Sequence, residues 1–290
     1  MVTSEERPMN MQKKYNDGVI SVFGSSGFVG SNYIRESSKP IVSIPKHSRE
    51  AQSADILYLI GTVHNYNIFD NPQLDIDVNL KILIETLEIN RKLFPDMVFN
   101  FVSTWFVYGE NQIPYSESAH CNPKGFYSIT KYTAELLLES YCKTHEIDYR
   151  IIRLGNVVGH GDKKVSNKKN AIQFLVEKIR NGEDIELYEG GFITRDYIHV
   201  NDVVRGIDLI IEKGEKNEIY NLASGSGTVL HDLLSDFRES IQSKSKFIPI
   251  PTPRFHSIVQ VKDAVLDTTK LKALGFTAKY PISIELLRGL

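Results

Sequence analysis

A tyrosine and a lysine four residues apart, Tyr127 and Lys131, stand in the segment Tyr127-Ser-Ile-Thr-Lys131. On a helix this spacing stacks the two side chains on one face. A phenol ordinarily titrates near pH ~10 and is a poor base at neutrality. An ammonium one turn away is expected to favour the phenolate, and the positive ring of an oxidised nicotinamide would add to that effect. Val98-Phe-Asn-Phe-Val102 reads as a buried strand and runs into Ser103-Thr104. Hydroxyls at the carboxyl end of a central parallel strand point into the crevice where such sheets bind ligands. Thr104 can then hold the substrate oxygen whose proton Tyr127 takes or gives. The candidate catalytic group is therefore Thr104, Tyr127 and Lys131, with Ser103 beside it.

A second chemistry opens the chain. Val19 to Phe23 is a short apolar run expected to form a buried strand, and Gly24, Gly27 and Gly30 follow it at three-residue spacing before a helical stretch from Ser31. A strand feeding a glycine turn and then a helix collects free N–H groups and a positive dipole end at one point, which suits a pyrophosphate. Gly24 would permit the tight turn, Gly27 the close approach of the phosphates, and Gly30 the packing of helix on strand. Ser26 and Phe28, between these glycines, join them as candidate cofactor contacts, as do Ser103, Tyr127, Lys131 and Gly61, which closes the third strand. The plain alternative is a glycine-rich turn without a ligand.

Dinucleotide folds commonly place an acid at the end of the second strand, about 20 residues past the glycines, for the adenosine ribose. Here Pro40 to Ile44 is followed by Pro45-Lys46-His47-Ser48-Arg49, with no acid until Glu50. Lys46, Ser48 and Arg49 could bind a 2′-phosphate that a carboxylate there would repel, or could form a solvated basic turn. NADP(H) is therefore favoured over NAD(H), which stays possible.

The elements that must position these groups follow in order. Ile56 to Ile60 is a third strand, reached so soon after the second that the usual intervening helix and strand are expected to be trimmed. Asp75 to Arg91 reads as one helix with a core stripe of Leu80, Leu83, Ile84 and Leu87. Ile76, Ile82 and Ile89 widen its apolar surface. A long helix opens at Tyr127 and runs to about Lys143, followed by a strand from Tyr149 to Leu154. Residues 160–170 are polar and carry Lys163, Lys164, Lys168 and Lys169, read as solvated surface in preference to a binding loop. Ala171 to Arg180 is an amphipathic helix and Ile185 to Tyr188 a strand. Asn201 or Asp202 is expected to cap a helix to about Ile211, with a strand from Ile219 to Ala223 and a helix from Leu230 to Ile241.

Composition bounds the rest. The 290 residues are 41% hydrophobic and 24% charged with a formal net charge of -2, which gives no electrostatic case for nucleic acid or an acidic membrane. Cys121 and Cys142 are too few for a disulfide framework or a zinc site and are expected to be buried free thiols. The eight scattered histidines form no metal-ligand pair, so no metal is expected. No apolar run approaches ~18 residues and no signal-peptide pattern opens the chain, so a cytoplasmic setting is expected.

These motifs, in this order, resemble the extended short-chain dehydrogenase/reductases that act on nucleotide sugars, the NAD-dependent epimerase/dehydratases. The resemblance rests on Gly24 to Gly30, Asn79, Ser103-Thr104 with Val107-Tyr108-Gly109, and Tyr127 with Lys131. It continues through Arg153, Asn156, Val157 and Gly159, and through Arg195 to Val200 with Asp202. It implies an α/β fold: a doubly wound parallel sheet (Rossmann) with a smaller, interleaved C-terminal substrate-binding domain. The expected division is a tail over residues 1–17, a dinucleotide-binding domain over 18–155 and a nucleotide-sugar domain over 156–290. Segments near 194–223, with the strands at Ile198 and Ile219, are expected to return to the main sheet. By the resemblance, Asn156 and Arg195 contact the sugar nucleotide's diphosphate, and a homodimer forms through a four-helix interface. Two departures carry information. Trp105 and Phe106 stand where dehydratases of this family carry an Asp-Glu pair, and decarboxylases likewise need a Glu there, which argues against both activities. Ile258 stands where the family's late phosphate-binding arginine would lie, nine residues before Asp267 and twelve before Lys270, with Arg254 as a possible substitute. The expected activity is an NADPH-dependent keto-sugar-nucleotide reductase with Tyr127 as acid/base. The alternative is an NAD-bound nucleotide-sugar 4-epimerase, and a non-catalytic cofactor sensor is more remote.

Overall fold

The computed structural model describes residues 18–162 and 171–290. The expected tail over residues 1–17 and the lysines of 163–170 lie outside them. Six strands form a parallel central sheet in the order β2-β1-β3-β4-β5-β9. They are β1 (Ile20–Phe23), β2 (Ile41–Ser43), β3 (Asp55–Tyr58), β4 (Val98–Thr104), β5 (Asp148–Leu154) and β9 (Glu218–Leu222). The strand β1 lies between β2 and β3, so the chain reverses direction across the sheet between β1 and β3, the position where such sheets open a ligand crevice. Between β2 and β3 there is no helix, as the short spacing predicts.

Strand side chains alternate between two faces, and each face builds its own core. Phe23, Tyr58, Phe99, Phe101 and Ile151 meet the helices Ile82–Leu93 and Phe126–His145. Val22, Leu57, Val102 and Ile152 belong to a second core with Tyr33 of the helix Phe28–Glu36 and Val203, Ile207 and Ile210 of the helix Val200–Lys213. The sheet is thus covered on both sides, which is why its strands read as continuous apolar runs.

The remaining strands are β6 (Asn156–Val158), β7 (Ile185–Tyr188), β8 (Thr194–His199), β10 (Gly227–Val229) and β11 (Phe247–Ile250). The strand at Ile219, β9, joins the main sheet beside β5, whereas the strand at Ile198, β8, does not. It pairs with β6 and β10 in a separate three-stranded sheet. The reason is local: β9 already occupies the edge of β5 from Arg150 to Leu154, so β8 finds a free edge only beyond Gly155, on β6. β7 and β11 form a two-stranded ribbon, and a third core of Ile172, Val176, Ile185, Leu234 and Phe237 lies under it.

Two further expectations are corrected. The helix expected from Asp75 to Arg91 is broken into Gln73–Ile76, a π-helical stretch Asp77–Lys81, and Ile82–Leu93. The extra residue per turn rotates Asn79 inward, where it is buried. The helix after β8 begins at Val200, capped by His199, whose Nδ1 accepts from the Asn201 N–H. Asp202 instead sits fully buried and accepts from the N–H groups of Lys279 and Tyr280. Cys142 is buried and Cys121 half-buried, both free.

Candidate active site

The glycine turn has the geometry that its spacing predicts. Gly24 has φ 79°, and a Cβ there would lie 2.8 Å from the Leu59 carbonyl carbon. Gly27 donates its N–H to the Gly24 oxygen at 3.1 Å and is the N-cap of the helix Phe28–Glu36. A Cβ on Gly30 would lie 2.2 Å from the Gly24 oxygen, so the helix is seated directly on the turn. No side chain caps this helix and no acid stands in its first turn. Its first N–H groups and dipole end are therefore left without a side-chain partner beside the exposed Ser26 and Gly27, with Phe28 half-buried. Ser43, at the end of β2, donates to Ser25 at 2.6 Å and ties the second strand to this turn.

The basic segment after β2 is held from the other side. Asn90 donates to the Arg49 carbonyl and accepts from the Ala51 N–H, both at 2.7 Å. Arg49 donates from Nη1 to the carbonyls of Lys46 (3.1 Å) and Ser48 (3.0 Å), with its Nε 3.8 Å from Glu85. Ser48 Oγ accepts from the Glu50 N–H, and Lys46 is exposed. A 2′-phosphate at this place would meet Lys46 first, and Arg49 would have to turn from its own backbone to reach it.

At the carboxyl end of β4, Thr104 is buried, and its Oγ1 accepts from the Phe106 N–H at 3.3 Å, capping the 3₁₀ turn Trp105–Tyr108. Its hydroxyl also lies near enough to the Tyr127 phenol to favour the ionised form. Tyr127 is placed by the N-terminus of the helix Phe126–His145, where Asn65 accepts from the Tyr127 N–H at 3.0 Å. Lys131 follows one turn on, also buried. Its Nζ donates to the Val102 carbonyl at 2.8 Å and lies 4.2 Å from the Phe101 ring centre.

The expected electrostatics of this pair are corrected. Burial pushes the Tyr127 phenol up to about 12; the bond from Thr104 opposes the rise and the charge of Asp75 adds to it. Lys131 is itself pushed down to about 8 by burial, against the pull of Glu135. Desolvation outweighs the attraction that the four-residue spacing predicts, because Lys131 spends its ammonium on the sheet backbone.

Gly61 comes to the same point: a Cβ there would lie 3.6 Å from Lys131 Nζ and 3.4 Å from Asn79 Oδ1. Asn79 donates to Thr62 Oγ1 and Thr130 Oγ1, both at 2.9 Å, and accepts from the Thr62 N–H. Asp75 completes this network. It is fully buried, with one oxygen accepting from Thr62 Oγ1 and Asn67 Nδ2 and the other unpartnered. Sequence reasoning missed Asp75, Asn65, Thr62 and Thr130; the only signal was the four-residue spacing of Asp75 from Asn79. A nicotinamide dinucleotide fits what is present: a cradle that a Cβ at Gly24 or Gly30 would disrupt, and a buried Ser103 Oγ without a partner.

The later segments carry the remaining candidates. Asn156 donates to the Asp196 carbonyl at 3.2 Å. Arg195 is buried and donates to the carbonyls of Thr194 (3.0 Å), Val261 (2.6 Å) and Lys262, with its guanidinium 5.3 Å from the Trp105 ring centre. Arg254 and Ile258 share the short exposed helix Arg254–Val259.

The family model of the NAD dependent epimerase/dehydratase family matches residues 46–223, more than half of the chain. The chain belongs to this family. Its members here are enzymes of the extended short-chain dehydrogenase/reductase type. A putative UDP-glucose 4-epimerase of Methanocaldococcus jannaschii is 27% identical over 222 residues, 76% of this chain and 70% of that protein. The dTDP-4-dehydro-6-deoxyglucose reductase of Escherichia coli is 26% identical over 164 residues, 56% of this chain and 52% of that one. Among solved structures, the UDP-glucose 4-epimerase of Thermotoga maritima with UDP-glucose superposes with a TM-score of 0.81 at 24% identity, covering 93% of this chain and 96% of that one. For this epimerase/dehydratase-family chain, no described helix is long and apolar enough to cross a membrane.

Proposed function

We propose that the protein is an NADPH-dependent keto-sugar-nucleotide reductase in which Tyr127 gives its proton to the substrate carbonyl oxygen. The observation that supports this reading is the burial of that phenol at the carboxyl end of β4 with Thr104, which disfavours its ionised form and suits it to give a proton. Thr104 binds the same oxygen and orients it. When bound, the reduced nicotinamide supplies a hydride, and the carbonyl carbon that gains it becomes an alcohol carbon. Gly24, Ser26, Gly27, Phe28 and Gly30 hold the pyrophosphate, Gly61, Ser103 and Lys131 the nicotinamide end, and Lys46, Ser48 and Arg49 the 2′-phosphate. Trp105 and Phe106 supply no carboxylate beside Tyr127, which supports reduction without elimination of water. Asn156 and Arg195 lie on the substrate side; Arg195 reaches a diphosphate with the two N–H donors that its three carbonyl bonds leave over.

Assembly belongs to the same reading. Ile129, Leu136 and Leu137 of the helix Phe126–His145 stay exposed, as do Ile76 and Leu93 at either end of the neighbouring helical segment. We infer a homodimer that covers these faces with four helices.

The test follows absorbance of NADPH at 340 nm with UDP-, dTDP-, GDP- and CDP-linked 4-keto sugars. Oxidation of NADPH by one of them, at a rate that Tyr127→Phe lowers, is the expected result. Interconversion of 4-epimers by enzyme carrying NAD, with no consumption of NADPH, would replace the reductase by the epimerase.

A further inference from the structure

The network around Asn79 contains a carboxylate that the reaction above does not use. Asp75 is fully buried, as are Asp196 and Asp202. Those two are well supplied with donors: Asp196 accepts from Ser224, Gly225 and Leu266, and Asp202 from Lys279, Tyr280 and Arg205. Asp75 has neither a cation nor a backbone N–H among the described residues. Thr62 Oγ1 and Asn67 Nδ2 donate to one of its oxygens, and the other has no partner. A half-paired buried carboxyl group is costly to keep and calls for an explanation beyond packing.

Its chemistry supplies one. A carboxylate only accepts, so the single hydroxyl proton of Thr62 goes to Asp75. The Thr62 oxygen is left to accept, and it accepts from Asn79 Nδ2, while the Thr62 N–H donates to Asn79 Oδ1, both at 2.9 Å. The two ends of the Asn79 amide are thereby told apart. Its other proton goes to Thr130 Oγ1 at 2.9 Å, and Thr130 donates in turn to the Tyr127 carbonyl at 3.0 Å. One end of this chain meets Gly61, where an added Cβ would lie 3.4 Å from Asn79 Oδ1 and 3.6 Å from Lys131 Nζ. The other end is the helical turn that carries the Tyr127 phenol. Without the carboxylate, Thr62 is free to donate elsewhere and Asn79 to turn over. We propose that Asp75 is a positioning residue for hydride transfer: by fixing the direction of the Thr62–Asn79–Thr130 bonds, it holds the nicotinamide end and Tyr127 in register. This rests on the reductase reading above and adds to it a residue that touches neither substrate nor cofactor.

The test is single-turnover oxidation of NADPH by the keto-sugar nucleotide that the wild type reduces, with sites counted by the fluorescence of bound NADPH. Asp75→Ala should slow hydride transfer per site about 10- to 100-fold, the cost of a small misplacement of reacting groups, with the Kd for NADPH within about threefold of wild type. Deuterium at the transferred position of NADPH should slow this variant at least as much as wild type. Thr62→Val should match Asp75→Ala and carries the test if that protein does not fold. The double variant should be within about threefold of the slower single one, because the two act through one chain of bonds. Thr62→Ser should stay within about threefold of wild type, and Asp75→Asn, which can offer Thr62 either its oxygen or its NH2, should fall between wild type and Asp75→Ala. Full rate per site in Asp75→Ala or Thr62→Val, a loss confined to the Kd for NADPH, multiplying losses in the double variant, or Thr62→Ser as slow as Thr62→Val would overturn the proposal and leave the reductase standing. Wild-type enzyme that binds NADPH and reduces no keto sugar would remove the reductase reading and this one with it.

Discussion

Gly27 and Gly30 are three residues apart in one motif, yet the structure assigns them opposite sensitivities. A methyl group at Gly30 would sit 2.2 Å from the Gly24 oxygen and 2.9 Å from the Ser25 Cα, against 3.4 Å or more for ordinary contact. Every atom it meets is backbone, so no side chain can swing aside. The helix must lift from the turn, at about 1–3 kcal/mol or more for a strained, overpacked contact. At about 2–4 °C of Tm per kcal/mol for a large domain, Gly30→Ala should melt roughly 2–12 °C lower. Gly27 has φ -74° and ψ 172°, which alanine adopts freely, and its added Cβ would meet one atom at 3.3 Å. The loss of unfolded-state entropy favours Gly27→Ala by about 0.4–1 kcal/mol and offsets that contact, so its Tm should stay within about 2 °C of wild type. Its methyl group nevertheless stands at the helix N-terminus, where a pyrophosphate must approach. Displacing the phosphate by a few tenths of an ångström should cost at least about 1.4 kcal/mol, a tenfold rise in Kd. Calorimetric melting and the fluorescence of bound NADPH read the two quantities separately. Gly27→Ala binding NADPH as tightly as wild type would refute the assignment of this turn to the cofactor, whatever the Tm.

The other predictions concern the proton, the cofactor and the core. Tyr127→Phe should lower turnover about 10²–10⁴-fold with the Kd for NADPH nearly unchanged, measured by single-turnover oxidation; wild-type turnover would place the acid elsewhere. Lys46→Ala with Arg49→Ala should cut the preference for NADPH over NADH roughly ten- to a hundredfold, with Lys46→Ala alone giving most of the loss because Arg49 is bonded to its own backbone; an unchanged ratio would return the epimerase to first place. Arg153→Met should destabilise the fold by about 3–5 kcal/mol in urea melts, because it strands Glu135, which it pairs with at 2.6 Å out of contact with water. Lys131, pushed down to about 8 from 10.5, binds fewer protons folded than unfolded between those values, so stability should rise with pH across that window. Wild type compared with Lys131→Met should gain up to ~3 kcal/mol there, and parallel stability curves for the two would contradict it.

Much of the scaffold was legible because burial on both faces leaves a plain mark. Val22 and Phe23 point into different cores, as do Leu57 and Tyr58, so the strands of the central sheet carry no polar face and read as solid apolar runs. The glycine spacing was equally direct, since each Cβ has a definite collision to avoid. What the residues did not announce are pairings decided by competition for an edge. β8 is buried from Arg195 to His199 like a strand of the main sheet, yet with β9 already on the edge of β5 it pairs with β6 instead. The π-helical stretch at Asp77–Lys81 is silent for another reason: Leu83 and Leu87 keep their helical stripe on one side of it, and the inward turn of Asn79 shows only in its bonds to Thr62 and Thr130.

The charge of the catalytic point was the hardest to read, because spacing fixes which side chains share a helix face but not where their charged ends come to rest. Lys131 could have lain along the phenol; it turns to the Val102 carbonyl and the Phe101 ring instead. With its ammonium spent there, desolvation governs both partners, and Asp75 adds a negative charge that the phenol also resists. Burial thus favours the protonated form of Tyr127. A reaction that begins by protonating a carbonyl oxygen can start from this state directly. One that begins by removing a proton from a hydroxyl must first ionise the phenol, which burial opposes. The positive ring of an oxidised cofactor would favour that ionisation, against the charge of Asp75. The proposed reductive direction asks for no such change.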